Sequence, residues 1–259
     1  MPRLSQILLM PVCVLLLASI AAADVKLPAI FADHMVLQRD KKVPVWGRAA
    51  PNEEVTVEIL GKTVSTQADA TGNWRVDLAP MPAGGPFEMR VSGRNQLIFK
   101  NVLVGEVWVC SGQSNMEWTV GLTRNAKEEI AAANYPQIRM LVVKQRVADT
   151  PQTDFEPQLT WSECSPQTVA PTSAVAYFFA RELHRRLKVP VGLVETNWGG
   201  TACELWTRDE VLKSDPSFAA IVTLSKTLRE QKPIRDAQYA NALAKWNRED
   251  LLAQQTGGK

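Results

Sequence analysis

Val102–Cys110 constrains the fold more than any other stretch of this chain. It reads Val-Leu-Val-Gly-Glu-Val-Trp-Val-Cys, a nearly continuous apolar run. A strand of this kind does not alternate between core and solvent, and it suits a parallel sheet covered on both faces. It is followed at once by Gly112-Gln113-Ser114-Asn115-Met116. A glycine permits a tight turn at a strand exit. A serine placed just after it would stand exposed at the start of a helix.

The texture of the chain differs on the two sides of this run. From residue 24 to about 100 the pattern is β. Val55, Val57 and Ile59 alternate with polar neighbours, as do Trp74, Val76 and Leu78, and then Phe87, Met89 and Val91. Period two over short runs marks half-buried strands. Ala50-Pro51-Asn52, Thr71-Gly72-Asn73 and Met81–Pro86 supply the turns between them. Short antiparallel strands at this spacing predict a small β-sandwich.

Beyond residue 100, Ile138–Val143 is a second strand candidate and Val191–Glu195 a third. Between them Ser173–Leu187 reads as an amphipathic helix, with Ala176, Phe179, Ala180, Leu183 and Leu187 on one stripe. Pro190 ends it. Strand, helix, strand in this order is the α/β pattern. Thr207 and Glu210 have capping-box spacing for a short helix, and Ile234 to about Gln254 predicts a longer one. Three parallel strands make a small sheet for an independent domain.

Composition excludes several function classes. The chain has 259 residues, enough for one large or two modest domains. A hydrophobic fraction of 46% and a charged fraction of 22% are those of an ordinary globular protein. The net charge is only +2, with acids and bases interspersed, so there is no electrostatic footprint for nucleic acid or an anionic membrane. Residues 1–23 read as a cleaved secretory signal peptide. Arg3 supplies the positive end, Ile7–Ile20 the apolar stretch and Ala21-Ala22-Ala23 the cleavage site. The apolar stretch is shorter than the ~20 residues of a membrane span. A secreted or periplasmic protein is expected, with no membrane partner after cleavage. Cleavage would leave Cys110, Cys164 and Cys203, an odd number that allows at most one disulfide. Without a Cys-x-x-Cys pair or a Cys/His cluster, no metal site is expected.

Ser114 is the first candidate for chemistry. A serine hydroxyl is a weak nucleophile until a base removes its proton. A strand-to-helix elbow exposes its Oγ and points the first helical N–H groups at a developing oxyanion. On spacing alone the pentapeptide also fits a plain turn with a helix cap. Cys110 ends an apolar strand without a local base, so it reads as a buried structural thiol. Trp118, Trp198 and Trp206 suit either a sugar-stacking cleft or an ordinary core.

Four segments, in order, carry a resemblance. They are Phe31–Arg39, Val104–Trp108, Gly112–Met116 and Gly192–Thr201. Together they resemble the SGNH hydrolase superfamily, in the branch of sialate O-acetylesterases and related carbohydrate acetylesterases, over about residues 25–210. The resemblance implies a serine esterase acting on O-acetyl groups of carbohydrate, sialic acid being the expected sugar, with no cofactor. Acetylxylan esterase activity and a non-catalytic glycan-binding derivative are the alternatives. It also implies that Ser114 is the nucleophile, with oxyanion donors drawn from Gly199, Gly200, Asn197 and Gln113. Trp198 is the best candidate to contact the sugar. Gly199-Gly200 fits a simple tight turn as well, and asparagines such as Asn197 are common in turns.

One family feature is missing. The acid/base pair lies in an Asp-x-x-His motif, and this sequence contains none. Its two histidines, His34 and His184, read as structural: His34 in the β region, His184 on a solvated helix face beside Arg185 and Arg186. The expected organisation is a signal peptide at 1–23, an N-terminal β-sandwich at 24–101, and the first part of an SGNH-type three-layer α/β/α domain at 102–259. That last domain is expected to be incomplete and to end in a helical segment.

Overall fold

The computed structural model describes residues 24–148, 150–155 and 159–256. The proposed signal peptide lies outside the described residues. Seven strands come first: β1 (Val36–Gln38), β2 (Val43–Arg48), β3 (Glu54–Ile59), β4 (Lys62–Gln67), β5 (Asn73–Leu78), β6 (Gly84–Ser92) and β7 (Gln96–Cys110). Helices α1 (Ser114–Glu117) and α2 (Ala126–Ala132) follow, then β8 (Tyr135–Val142), β9 (Trp161–Cys164), α3 (Ala174–Leu187) and β10 (Val191–Glu195). Two helices close the described chain, α4 (Asp209–Ser214) and α5 (Ala219–Thr256).

The chain divides into two compact units. The first runs through Ser111 and resumes at Trp118–Thr196; the second comprises Gly112–Glu117 and the chain from Asn197 onward.

In the first unit the period-two segments form strands as their pattern dictates. β3 buries Val55, Val57 and Ile59, and β5 buries Trp74, Val76 and Leu78. β4, β3, β6 and β7 pair antiparallel, and β2 pairs with β5 in a separate two-stranded sheet. The inner faces of both sheets share one core, which includes Val45, Val57, Trp74, Met89 and Val91. Two sheets over one core is the sandwich arrangement.

β7 is the structural spine. Its first part pairs with β6 as far as Val104, and Glu106–Cys110 pairs parallel with Val191–Glu195 of β10. β1 runs parallel to Leu103–Gly105. The strand therefore passes unbroken through residues 101 and 102. At Gly105 a Cβ would overlap the Pro190 carbonyl, so only glycine lets the chain preceding β10 approach this closely. β10 lies between β7 and β8, parallel to both, and all five of its residues are buried. That is the environment a continuous apolar strand needs. The result is a mixed α/β sheet with α3 against β8 and β10.

Some local expectations are corrected. The run ending in Cys110 is not buried throughout: Trp108 and Val109 are exposed, and Phe179 meets Trp108 edge-on at 5.0 Å. The buried face of α3 is Ala174, Ala176, Tyr177 and Ala180, with Phe179 and Leu187 exposed. Small alanines bring the helix backbone close to the sheet, which turns the stripe toward Tyr177. β9 was not expected. It pairs antiparallel with β8 and buries Trp161, whose Nε1 donates to the Ile30 carbonyl at 2.9 Å. The Thr207–Glu210 capping box does not form, because Thr207 Oγ1 donates to the Cys203 carbonyl and α4 begins after Arg208 without a side-chain cap.

The long helix α5 starts fifteen residues before the expected Ile234, at Ala219 (234 − 219), and continues through Pro233. Its sequence is rich in Ala, Leu, Lys, Arg, Glu and Gln, all strong helix formers. Ion pairs one turn apart, such as Lys232–Asp236 at 2.7 Å, reinforce it across the proline. Among the described residues no helix is long and apolar enough to cross a membrane.

Candidate active site

β7 delivers the chain to the serine. After Cys110 the backbone turns at Gly112, whose φ of 146° lies outside what a side chain readily allows. Gln113 then starts a helical turn, its carbonyl accepting the N–H groups of Met116 at 2.9 Å and Glu117 at 3.0 Å. Ser114 is exposed at the first position of α1. Its Oγ lies 3.4 Å from Gln113 Oε1, a long and weak hydrogen bond. α1 is a single turn, so the helix dipole contributes little here, and polarisation at the serine has to come from individual N–H groups.

β10 delivers the glycine-rich loop. The Trp198 N–H donates to the Gly112 carbonyl at 2.9 Å. The Gly199 N–H donates to Glu117 Oε2 at 2.8 Å. A Cβ built on Gly199 would stand 3.6 Å from Ser114 Oγ, so the structure brings the serine and the first of the two glycines together. Gly200 has a φ of 74°, the left-handed conformation a glycine adopts without strain. Thr201 Oγ1 donates to the Trp198 carbonyl at 2.6 Å and accepts Trp206 Nε1 at 2.9 Å, closing the loop on itself. Asn197 and Trp198 are half-buried at its start.

Sequence reasoning passed over Glu117. Its signal was present: a carboxylate three residues after the serine lies on the same side of a helical turn.

The other candidates have structural partners. His34 Nδ1 accepts from Asn101 Nδ2 at 2.9 Å and from Arg139 Nη1 at 3.1 Å. Glu163 Oε1 lies 3.3 Å from the same nitrogen and accepts from Asn101 Nδ2 at 2.9 Å. Buried Arg139 also pairs with Glu163 at 3.2 Å. His184 is half-buried rather than solvated, and its Nδ1 donates to the Val189 carbonyl at 2.7 Å, just past the end of α3. Cys110, Cys164 and Cys203 are free thiols. Burial, then the nearby Glu195 charge, pushes the Cys110 thiol up to about 12, which keeps it protonated and non-nucleophilic. Trp118 Nε1 bonds the Leu122 carbonyl at 3.2 Å. A cavity of about 670 Å³ lined by Val143, Lys144, Arg146, Asp154, Phe155 and Leu159, among others, includes none of the expected site residues.

Comparisons with known proteins bear on these same segments. Residues 104–237 match the family described as carbohydrate esterase, sialic acid-specific acetylesterase. The chain is 34% identical over 201 residues to the sialate O-acetylesterase of Mus musculus, covering 70% of this chain and 37% of that protein. It is equally similar to the Homo sapiens enzyme of the same name, 38% of which is covered. It is also similar to the crystal structure of a carbohydrate acetylesterase from Xanthomonas citri. That match has a TM-score of 0.70 and 40% identity, covering 74% of this chain and 44% of the other. The chain thus spans less than half the length of each of these relatives.

Proposed function

The chain belongs to the carbohydrate esterase family of sialic acid-specific acetylesterases, and from that premise we propose that it serves the hydrolysis of O-acetyl esters on carbohydrate, with sialic acid as the sugar. The observation that carries this reading is the meeting of an exposed serine, at a strand-to-helix elbow, with a glycine-rich loop from the adjacent parallel strand.

Ser114 Oγ is the nucleophile. It attacks the acetyl carbonyl while a base takes its proton. The tetrahedral oxyanion collapses, releasing the sugar hydroxyl and leaving an acetyl-serine. Water then attacks that ester through a second oxyanion, freeing acetate and restoring the hydroxyl. The oxyanion donors are the Ser114 N–H and the N–H of a glycine in Gly199-Gly200, completed by a side-chain amide for which Asn197 and Gln113 are the candidates; Trp198 offers its ring to the sugar. Removing one such donor costs about 10²–10³ in rate.

This sequence holds no Asp-x-x-His, and both histidines have structural partners. A positioned base contributes ~10²–10⁴-fold, so turnover by these residues alone is expected to be slow. Residues 1–23 are proposed as an export leader. The division into a β-sandwich at 24–101 and a hydrolase part from 102 belongs to the same proposal, with β7 as the strand common to both.

The test is Ser114→Ala, read by acetate release from O-acetylated sialic acid and by labelling with a fluorophosphonate serine probe. Loss of both in the variant supports the reading. Labelling or turnover that survives Ser114→Ala removes Ser114 from the mechanism.

A further inference from the structure

Both segments that meet at the serine are weakly held by themselves. α1 is four residues long, below the length at which a helix sustains its own geometry. The loop from Asn197 to Thr201 contains no buried residue. The bonds that join them include one on each side of Ser114. Before the serine, the Gly112 carbonyl accepts the Trp198 N–H; after it, Glu117 Oε2 accepts the Gly199 N–H at 2.8 Å. The second bond is charge-assisted, and such bonds are roughly twice as strong as neutral ones. A Cβ at residue 199 would overlap Glu117 Oε2, so a side chain there would push the carboxylate off this bond.

The same bond bears on the oxyanion. A carboxylate and an oxyanion are both acceptors, and they compete for one N–H. A carboxylate beside the reacting carbon also repels the charge that develops there.

We propose that Glu117 is the positioning residue of the nucleophile segment: by holding the Gly199 N–H it fixes the glycine-rich loop against the Ser114 turn, and it withdraws that N–H from the oxyanion donors. The backbone share of the donor role then rests on the N–H groups of Ser114 and Gly200, beside the side-chain amide. This deepens the Ser114 reading and rests on it.

The experiment uses the full chain and its Glu117→Ala and Glu117→Gln variants. Two quantities are measured: the rate of Ser114 labelling by a fluorophosphonate probe, and amide hydrogen exchange at Gly199. The glutamine side-chain oxygen still accepts the N–H, so Glu117→Gln keeps the labelling rate within about threefold and preserves Gly199 protection. Glu117→Ala slows labelling by about tenfold or more and speeds Gly199 exchange. A folding defect in the alanine variant would appear as a lowered melting temperature, and the glutamine variant then carries the comparison. Wild-type labelling in Glu117→Ala overturns the proposal. So does faster labelling in both variants, which would make the carboxylate an inhibitory acceptor and Gly199 an oxyanion donor. If wild-type Ser114 takes no label, the nucleophile reading fails separately. Gly199 exchange then decides the Glu117 tie, with loss of protection in Glu117→Ala alone supporting it and unchanged exchange overturning it.

Discussion

The two units of this chain hold their shape by different means. Every side chain classed as buried among the described residues lies in the first unit, from Val25 to Glu195; none lies in Gly112–Glu117 or from Asn197 onward. The first unit is therefore specified by burial: alternating and continuous apolar strands that must hide their faces. The second is specified locally, by helix-forming residues, ion pairs one turn apart and a few backbone hydrogen bonds. The serine segment and the glycine loop both belong to the second. A candidate site without a core of its own depends on individual polar ties, which is why Glu117 and the Trp198–Gly112 bond matter there.

The sharpest way to break this comparison is a pair of truncations. Leu193→Ala, in the fully buried centre of β10, should cost about 2–5 kcal/mol. Ile234→Ala, on exposed α5, should stay within about 0.5 kcal/mol. Denaturant melts check both, and a large loss at Ile234 would mean that α5 is held by burial after all. Next, Pro233→Ala should stabilise α5 by up to about 3 kcal/mol if local propensity governs it. Far-UV circular dichroism on heating reads this, and no gain would show that packing already overrides the proline.

A third effect is pH-dependent and belongs to the first unit. Burial raises the thiols of Cys110 and Cys164 from the ordinary 9.0 to about 12 and about 11. As pH rises, the unfolded chain gives up these protons first, so more protons remain bound to the folded state. Stability should therefore be undiminished by these groups below about pH 9 and fall as pH climbs toward 11 and 12. Replacing both cysteines with alanine should flatten that alkaline loss in melts taken across the range. The smallest expected effect is at Lys232–Asp236. Lys232→Ala should cost about 0.2–0.5 kcal/mol and matter less at high salt; a larger or salt-independent loss would point to a tertiary role.

Much of the first unit was legible because its signals are periodic. The alternation at Val55–Ile59 and Trp74–Leu78 has one solution as a strand, and Val191–Glu195 is too apolar to lie anywhere but inside a sheet. Four-residue β9 escaped notice because Trp-Ser-Glu-Cys has no clear period. The α3 stripe was misread because leucine and phenylalanine outweigh alanine in a pattern, whereas close packing favours alanine. The helix that begins at Ala219 was expected only from Ile234, whereas α5 runs through Pro233 without interruption. At the site, Ser114 and the glycine pair stood out as candidates from their motifs; Glu117 was visible on the same turn as the serine, but its bond to Gly199 depends on a loop some eighty residues away.

The chain's own residues thus determined its periodic and continuous apolar strands, its α/β class, its family resemblance and its candidate nucleophile, all of which follow from short-range pattern and composition. Only the tertiary structure decided that β7 carries antiparallel pairing at one end and parallel pairing at the other, that β10 enters between β7 and β8, and that Gly199 gives its N–H to Glu117. Those facts are pairings between distant segments. Periodicity along the chain says which faces must be covered, but what covers them is settled by the packing of the whole.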